Sequence, residues 1–416
     1  MYKYLLFSAF LISNLMVFSQ AGSESPYSRY GIGDLFKNRV GQSRAMGGLS
    51  IALRSDEHVN YFNPASYTEF NAQTFVFEFG VAERFSLLST ESLSSQRSNL
   101  NIEYLTFGFP ITKWWAGSIG LTPFSSTGYD IFYRDSLADL GSILYKYYGE
   151  GGINRVYMGH AFKFFKRLSL GINASYLFGS NVYAKDVVFE DDSIAFDYTN
   201  KDTTYFGDFY FDFGLQYVHP IKDKYELVLG ATYSNKDKIS AYRSQHGGIY
   251  YGTSMITVFQ TEREKGYHEI PQSIGFGLSF SQKNKFIAGV DYYTQKWSQT
   301  SSFGESDSLS DSKLICFGGE YIPNADPVSQ YWKKIRYRAG GHFSDTYLSF
   351  HDTQIKDFGI SFGLGFPIKR TKTVFNVTFE AGQRGTITNN LLKENYYVIS
   401  LNLSLSDTWF FKNKID

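Results

Sequence analysis

Residues 397–406 alternate without a break. Tyr397, Ile399, Leu401, Leu403 and Leu405 fall on one side, and Val398, Ser400, Asn402, Ser404 and Ser406 on the other. The same alternation runs through 168–178 (Leu168, Leu170, Ile172 against Ser169, Gly171, Asn173), 273–281 (Ile274, Phe276, Leu278 against Gly275, Gly277, Ser279) and 360–366. Successive strand residues point to opposite faces, so each segment has one greasy face and one small, polar face. A soluble sandwich turns its greasy face inward and carries charge outside. A second face of Ser, Gly, Asn and Thr suits a barrel interior, with the apolar face against lipid. Segments of about ten residues also match a tilted strand crossing the hydrocarbon layer.

The alternation predicts 14 strands: 73–81, 100–110, 114–124, 152–164, 167–178, 203–218, 225–234, 269–281, 286–296, 312–322, 333–344, 357–367, 372–382 and 395–406. An even count is usual for single-chain bacterial barrels, as are short periplasmic turns alternating with long outer loops. The predicted connections alternate in that way. Phe165-Lys166 and Gln282–Lys285 are short, whereas 82–99, 125–151, 179–202 and 235–268 are long. Within 235–268, Met255 to Thr261 has the pattern of a hairpin outside the membrane plane.

Composition agrees. Of 416 residues, 33 are Tyr, 39 Phe and 38 Gly but only 9 Pro, a balance that favours strands over helices. A mean hydropathy of -0.26 speaks against a helical membrane protein but not against a barrel, whose lumen residues dilute the average. Forty basic and forty acidic residues leave no net charge, and so no electrostatic reason to expect a nucleic-acid partner. Trp114, Trp115, Trp297, Trp332 and Trp409 fall near predicted strand ends, where an interfacial aromatic girdle would sit.

Lys3 followed by the apolar run Leu5–Phe18 reads as a signal peptide over 1–20, cut near Gln20 or Ala21. Residues 21–72 lack the alternation and carry small-residue clusters, and the barrel is expected over 73–416. The chain is therefore expected in the outer membrane of a Gram-negative cell, with outer-membrane lipid as its surroundings.

No catalytic set is expected. His58, His160, His219, His246, His268, His342 and His351 are scattered, with no HExxH or paired metal-ligand spacing. There is no phosphate loop and no GxSxG elbow, so no metal and no cofactor is expected. Cys316 reads as a small apolar wall residue. Gly151-Gly152 reads as turn chemistry, and Glu190-Asp191-Asp192 as a solvated loop or a divalent-cation site.

Two segments of 21–72 carry a family resemblance. Gly41-Gln42-Ser43-Arg44-Ala45-Met46-Gly47-Gly48 and Tyr61-Phe62-Asn63-Pro64-Ala65 resemble the N-terminal hatch of the FadL/TodX family, outer-membrane transporters of long-chain fatty acids and aromatic hydrocarbons. Phe109–Gly117 resembles that family's first periplasmic turn, and Ile270–Gly277 with Ala288–Tyr292 its middle hairpin. The chain departs from typical barrels in ending at Asp416, with Phe410 and Phe411 inside. The resemblance implies a hatch in the lumen, an apolar pocket and a kinked third strand that opens the wall.

In that strand Gly120, Pro123 and Gly128 are the lateral-opening candidates. Pro123 cannot donate to the ladder, so it either bends the wall near 120–128 or ends the strand. Asn63-Pro64-Ala65 is either a hatch hinge or a fixed turn. Met46, Leu49, Ile51 and Phe62 are candidate ligand contacts. So are Leu140, Leu144 and Tyr148, on an amphipathic loop helix expected over 137–148 that would cover either a solute or a partner protein. Two functions follow. One is passive uptake of hydrophobic small molecules. The other is a non-transporting barrel that serves as subunit or scaffold of an outer-membrane secretion or assembly complex. The lumen discriminates: a continuous apolar pocket with a wall opening favours uptake, and a lumen filled by hatch side chains favours the scaffold.

Overall fold

The computed structural model describes residues 24–36, 41–138, 141–190, 196–222, 224–252, 254–350, 352–369 and 371–408. Fourteen antiparallel strands form the wall: β1 (Thr74–Ser89), β2 (Ser94–Pro110), β3 (Trp115–Leu137), β4 (Gly141–Phe164), β5 (Leu168–Phe189), β6 (Tyr198–Ile221) and β7 (Tyr225–Ser234), then β8 (Ser273–Gln282), β9 (Phe286–Gln295), β10 (Ser312–Tyr321), β11 (Arg336–Phe350), β12 (Thr353–Pro367), β13 (Val374–Gly385) and β14 (Lys393–Thr408). Each pairs with its neighbours, and β14 returns to β1 from Lys393↔Ser89 to Thr408↔Thr74. The cylinder is closed, so every wall strand has a partner on both sides for at least part of its length.

The alternation sorts the side chains as the pattern demands. On β6, Phe209, Phe211, Phe213 and Leu215 are exposed outward, while Tyr210, Gly214 and Gln216 face in. On β12, Phe358, Ile360, Phe362 and Leu364 are exposed and Ser361 is buried. The polar interior and apolar exterior invert a soluble core and match a wall that meets lipid. Among the described residues, no helix is long and apolar enough to cross a membrane.

The long connections differ from expectation. Most of 82–99 and 125–151, and parts of 179–202, continue the strands, because their backbone groups still find ladder partners beyond the bilayer. The helix expected over 137–148 is absent. Leu137 ends β3, and Ile143, Leu144, Tyr147 and Tyr148 lie in β4, pairing with Asp135, Arg134, Ile131 and Asp130. Pairing along the whole segment outweighs an i, i+3, i+4 coincidence. Gly151-Gly152 likewise sits inside β4, not in a turn. The hairpin in 235–268 is real: Asp237–Tyr251 pairs with Ser254–Ile270, and its first strand also lies along the outer half of β6. Trp297 is not in a girdle. It is 1% exposed and stacks on Tyr347 with ring centroids 4.8 Å apart, whereas Trp114 and Trp332 are exposed. The signal peptide, Trp409, Phe410, Phe411 and Asp416 lie outside the described residues.

An arginine in the middle of the lipid face has no partner there. Phe362→Arg is expected to cost about 2–4 kcal/mol. Its neighbour Ser361→Ala, which loses one hydrogen bond to the Gly47 amide, is expected to cost about 1 kcal/mol. Reversible urea unfolding in lipid vesicles measures both.

Candidate functional site: the plugged lumen and the wall seam

Before β1, residues 24–36 and 41–73 lie inside the lumen, against its wall. Near the outer end, a single 3-10 turn, Pro26–Arg29, packs its Tyr27 with Ile32, Trp297 and Tyr347. Asp34-Leu35 then pairs with Ser126-Ser125 of β3. A short helix, Gly41–Ala45, and a second 3-10 turn, Pro64–Glu69, lie further along. Glycines on the wall admit this backbone. A Cβ at Gly340 would collide with Met46 and Gly47, and one at Gly214 with Asn63.

Polar wall residues fasten the segment at each level. Asp291 Oδ2 accepts from the amides of Ser50 (2.6 Å) and Ile51 (2.8 Å). Gln216 donates from Nε2 to the carbonyls of Ile51 (2.9 Å) and Leu53 (3.1 Å), and accepts from Arg54 at 2.8 Å. Arg44 bridges two strands, to Glu380 of β13 at 2.7 Å and to Glu103 of β2. At the inner end Arg336 pairs with Glu57, and Arg338 bonds Glu320 at 2.7 Å. Asp291, Gln216, Glu103, Glu380 and Arg338 are buried and their charged partners half-buried, where a charge is tolerable only when paired.

Asn63-Pro64-Ala65 is one of these fastenings. Asn63 is fully buried and caps the Pro64–Glu69 turn, its Oδ1 accepting from Ala65 N at 3.2 Å. Its Nδ2 donates to Ile51 O at 2.7 Å and to Leu215 O on the wall at 3.2 Å. Asn63 thus ties the turn to the plug backbone at Ile51 and to the wall at Leu215.

The ligand candidates are not brought together. Met46 and Leu49 pack with Leu53, Leu314 and Cys316. Ile51 and Phe62 instead line a cavity of about 100 Å³ shared with Leu35, Phe124 and the Arg155–Asp212 pair. Leu144 and Tyr148 lie on β4, and Leu140 is outside the described residues. Two further cavities, of about 120 and 140 Å³, are lined by charged side chains including Arg44, Glu103 and Glu380 in one and Glu57, Glu320 and Arg336 in the other. The described residues hold no group of three His, Cys, Asp or Glu side chains placed for a metal. Glu190 pairs with Arg134 and Ser142, and Asp191 and Asp192 lie outside the described residues.

The wall itself has a seam. β2 and β3 pair only from Pro110↔Ala116 to Leu105↔Leu121. Beyond Leu121 the strand does not end at Pro123. It shifts register between Pro123 and Ser125 and follows β4 to Leu137. Gly120 lies in the last paired stretch. Gly128 is past the bulge, its amide and carbonyl both bonded to Ser28 Oγ at 3.0 Å. Outside the seam, a depression of about 570 Å³ lies between Ile102, Pro123 and Phe178. Pro123 removes one ladder donor, and the plug strand Asp34-Leu35 occupies part of the edge so released.

Sequence reasoning missed most of the fastening residues. Arg44 lay inside the hatch motif, and Asp291 and Glu380 are charges on the inward faces of β9 and β13. A charge at an inward position of an alternating strand was the available signal.

The closed fourteen-strand wall shares its fold with solved hydrocarbon channels and a FadL homologue. Solved structures with this fold include the toluene transporter TbuX of Ralstonia pickettii (TM-score 0.59, 13% identity, 91% of this chain and 99% of that one). The toluene transporter TodX of Pseudomonas putida matches with TM-score 0.58 and 15% identity, over 90% of this chain and 99% of that one. A FadL homologue of Pseudomonas aeruginosa matches with TM-score 0.55 and 11% identity, over 92% and 100%. No curated protein matches the sequence. The BamG family model matches residues 1–416, and the chain belongs to the BamG family.

Removing a fastening residue should loosen the plug locally. Asp291→Ala leaves two buried amides without an acceptor, at about 1–3 kcal/mol each. Hydrogen exchange at Ser50 and Ile51 is expected to speed by about tenfold or more, while Asp291→Asn, which keeps an acceptor oxygen, stays nearer the parent. Arg44→Met strands two carboxylates and is expected to cost about 3–5 kcal/mol, read as a lower urea midpoint.

Proposed function

We infer that this BamG-family barrel is a non-transporting structural subunit of an outer-membrane protein complex of the secretion or assembly type. One observation carries the reading: the lumen is filled by the protein's own N-terminal segment, tied to the wall by buried carboxylates, amides and arginines. The cavities beside Arg44, Arg336 and Phe62 are each about 100–140 Å³, and the first two have Arg–Glu pairs in their walls. A long hydrocarbon chain gains about 25 cal/mol per Å² only when its surface is covered by apolar surroundings, and a lumen lined by Arg–Glu pairs offers little of that. A plugged barrel with tall outer walls is suited to present surfaces to neighbours in the membrane.

The seam and the Leu35–Phe62–Phe124 cavity favour a second reading: passive uptake of small hydrophobic solutes that enter the cavity and leave sideways between β2 and β3. The neighbours TbuX and TodX are toluene transporters. The cavity of about 100 Å³ is smaller than the roughly 150 Å³ that holds one benzene ring, so on this reading it must widen to admit even a single aromatic ring, and a long-chain fatty acid is excluded.

One preparation separates the two. The tagged full-length protein, extracted from outer membranes in mild detergent, is expected to retain a stoichiometric outer-membrane protein partner and to show no saturable binding of radiolabelled toluene or oleate. Saturable toluene binding by a partner-free protein would instead establish uptake, and with it a lateral role for Gly120, Pro123 and Gly128.

A further inference from the structure

Above the lipid-facing band of β6 lies a basic groove with a tyrosine floor. The outward-facing residues of β6 run Leu215, Phe213, Phe211, Phe209, then Tyr205, Thr203 and Lys201. From Tyr217 to Tyr205 is twelve residues, about 40 Å along a strand at about 3.3 Å per residue, or about 30 Å along the membrane normal at a tilt near 40°. That is the thickness of a hydrocarbon core. Tyr205 therefore marks the outer interface, and Lys201 stands just beyond it in the headgroup layer.

The hairpin widens this face. Cross-strand registers put Lys201, His246 and Gln260 in one row, and Tyr205, Tyr242 and Lys265 in another. Between them Thr203 faces Ser244, and the bulge in the second hairpin strand brings Arg263, whose amide donates to Ser244 Oγ at 3.3 Å. The groove so formed encloses about 880 Å³ and is open to the outside. Tyr205 and Tyr242 are 50% and 41% exposed.

The charges in it are unbalanced. Lys201, Arg263 and Lys265 are exposed and make no ion pair among the described residues, whereas the other face of the same hairpin neutralises Arg243 with Glu264 at 2.8 Å. Glu262 is the one acid of the groove, and it is engaged by Gln260 Nε2 at 2.6 Å. Three cations against one carboxylate leave an excess of positive charge around hydroxyl donors, directly above an aromatic lipid face, and form a receptor for an anion that belongs to a lipid. An oxyanion there gains charge-assisted hydrogen bonds from Arg and Lys, while its acyl chains lie along Phe209, Phe211 and Phe213.

We propose that Lys201, Arg263 and Lys265, over the Tyr205–Tyr242 floor, bind the phosphorylated headgroup of an outer-leaflet glycolipid. The site belongs to the outer wall and is independent of what the lumen does.

Purified full-length protein in non-ionic detergent, titrated with diphosphorylated lipid A and followed by native mass spectrometry, tests this. Wild type is expected to retain lipid A, and Lys201→Gln/Arg263→Gln/Lys265→Gln to weaken retention at least tenfold. Lys283→Gln, in a periplasmic turn, should not change it. Heat-modifiable migration on gels verifies that each variant is folded. Equal retention of enzymatically dephosphorylated lipid A, or retention by the folded triple variant, would overturn the proposal. So would displacement of the lipid by millimolar inorganic phosphate, which would show a free-anion site instead of a lipid site.

Discussion

Everything in this molecule depends on the closure of β14 onto β1. A membrane wall cannot leave backbone amides facing hydrocarbon, and only a closed ladder satisfies them all. Sixteen consecutive register pairs, from Thr408↔Thr74 to Lys393↔Ser89, accomplish this closure. Once the cylinder exists, its inside is a confined polar space. Any backbone placed there must be met by polar partners, a requirement that Asp291 and Gln216 answer from the wall and Asn63 from the plug.

The seam beside β3 is handled by the same logic. Where Pro123 interrupts the ladder and β2 parts from β3, the plug strand Asp34-Leu35 pairs with Ser126-Ser125, and Phe36 N donates to Phe124 O at 3.0 Å. The plug thus repairs part of the wall as well as filling the lumen. Its Arg44 reaches Glu103 on β2, the other lip of the seam. Plug and seam are mechanically joined through these contacts.

The wall was largely legible in the sequence, because a period of two with one apolar face has few physical solutions. Strands β7 and β9 match their predicted limits within a residue, since turn residues bound them tightly. The outer ends did not show themselves: 125–151 loses the apolar alternation once it leaves lipid, yet its backbone keeps pairing. The apparent helix at 137–148 was a chance spacing within two paired strands. The plug had no periodicity to read, and only its motifs gave it away. Inward charges marked individual fastening residues, but their pairing was not legible because Arg44–Glu103–Glu380 joins residues far apart in sequence.

Strand length varies around the wall. β4 and β6 each have 24 residues, while β7, β8, β9 and β10 have 10 each. The hairpin Asp237–Ile270 stands beside the outer half of β6, so the rim is tall from β3 round to that hairpin and lower at β9 and β10. A neighbour approaching across the bilayer would meet a tall face on one side and a lower one on the other. The barrel thus has a heading in the membrane plane, although its wall is a closed ring.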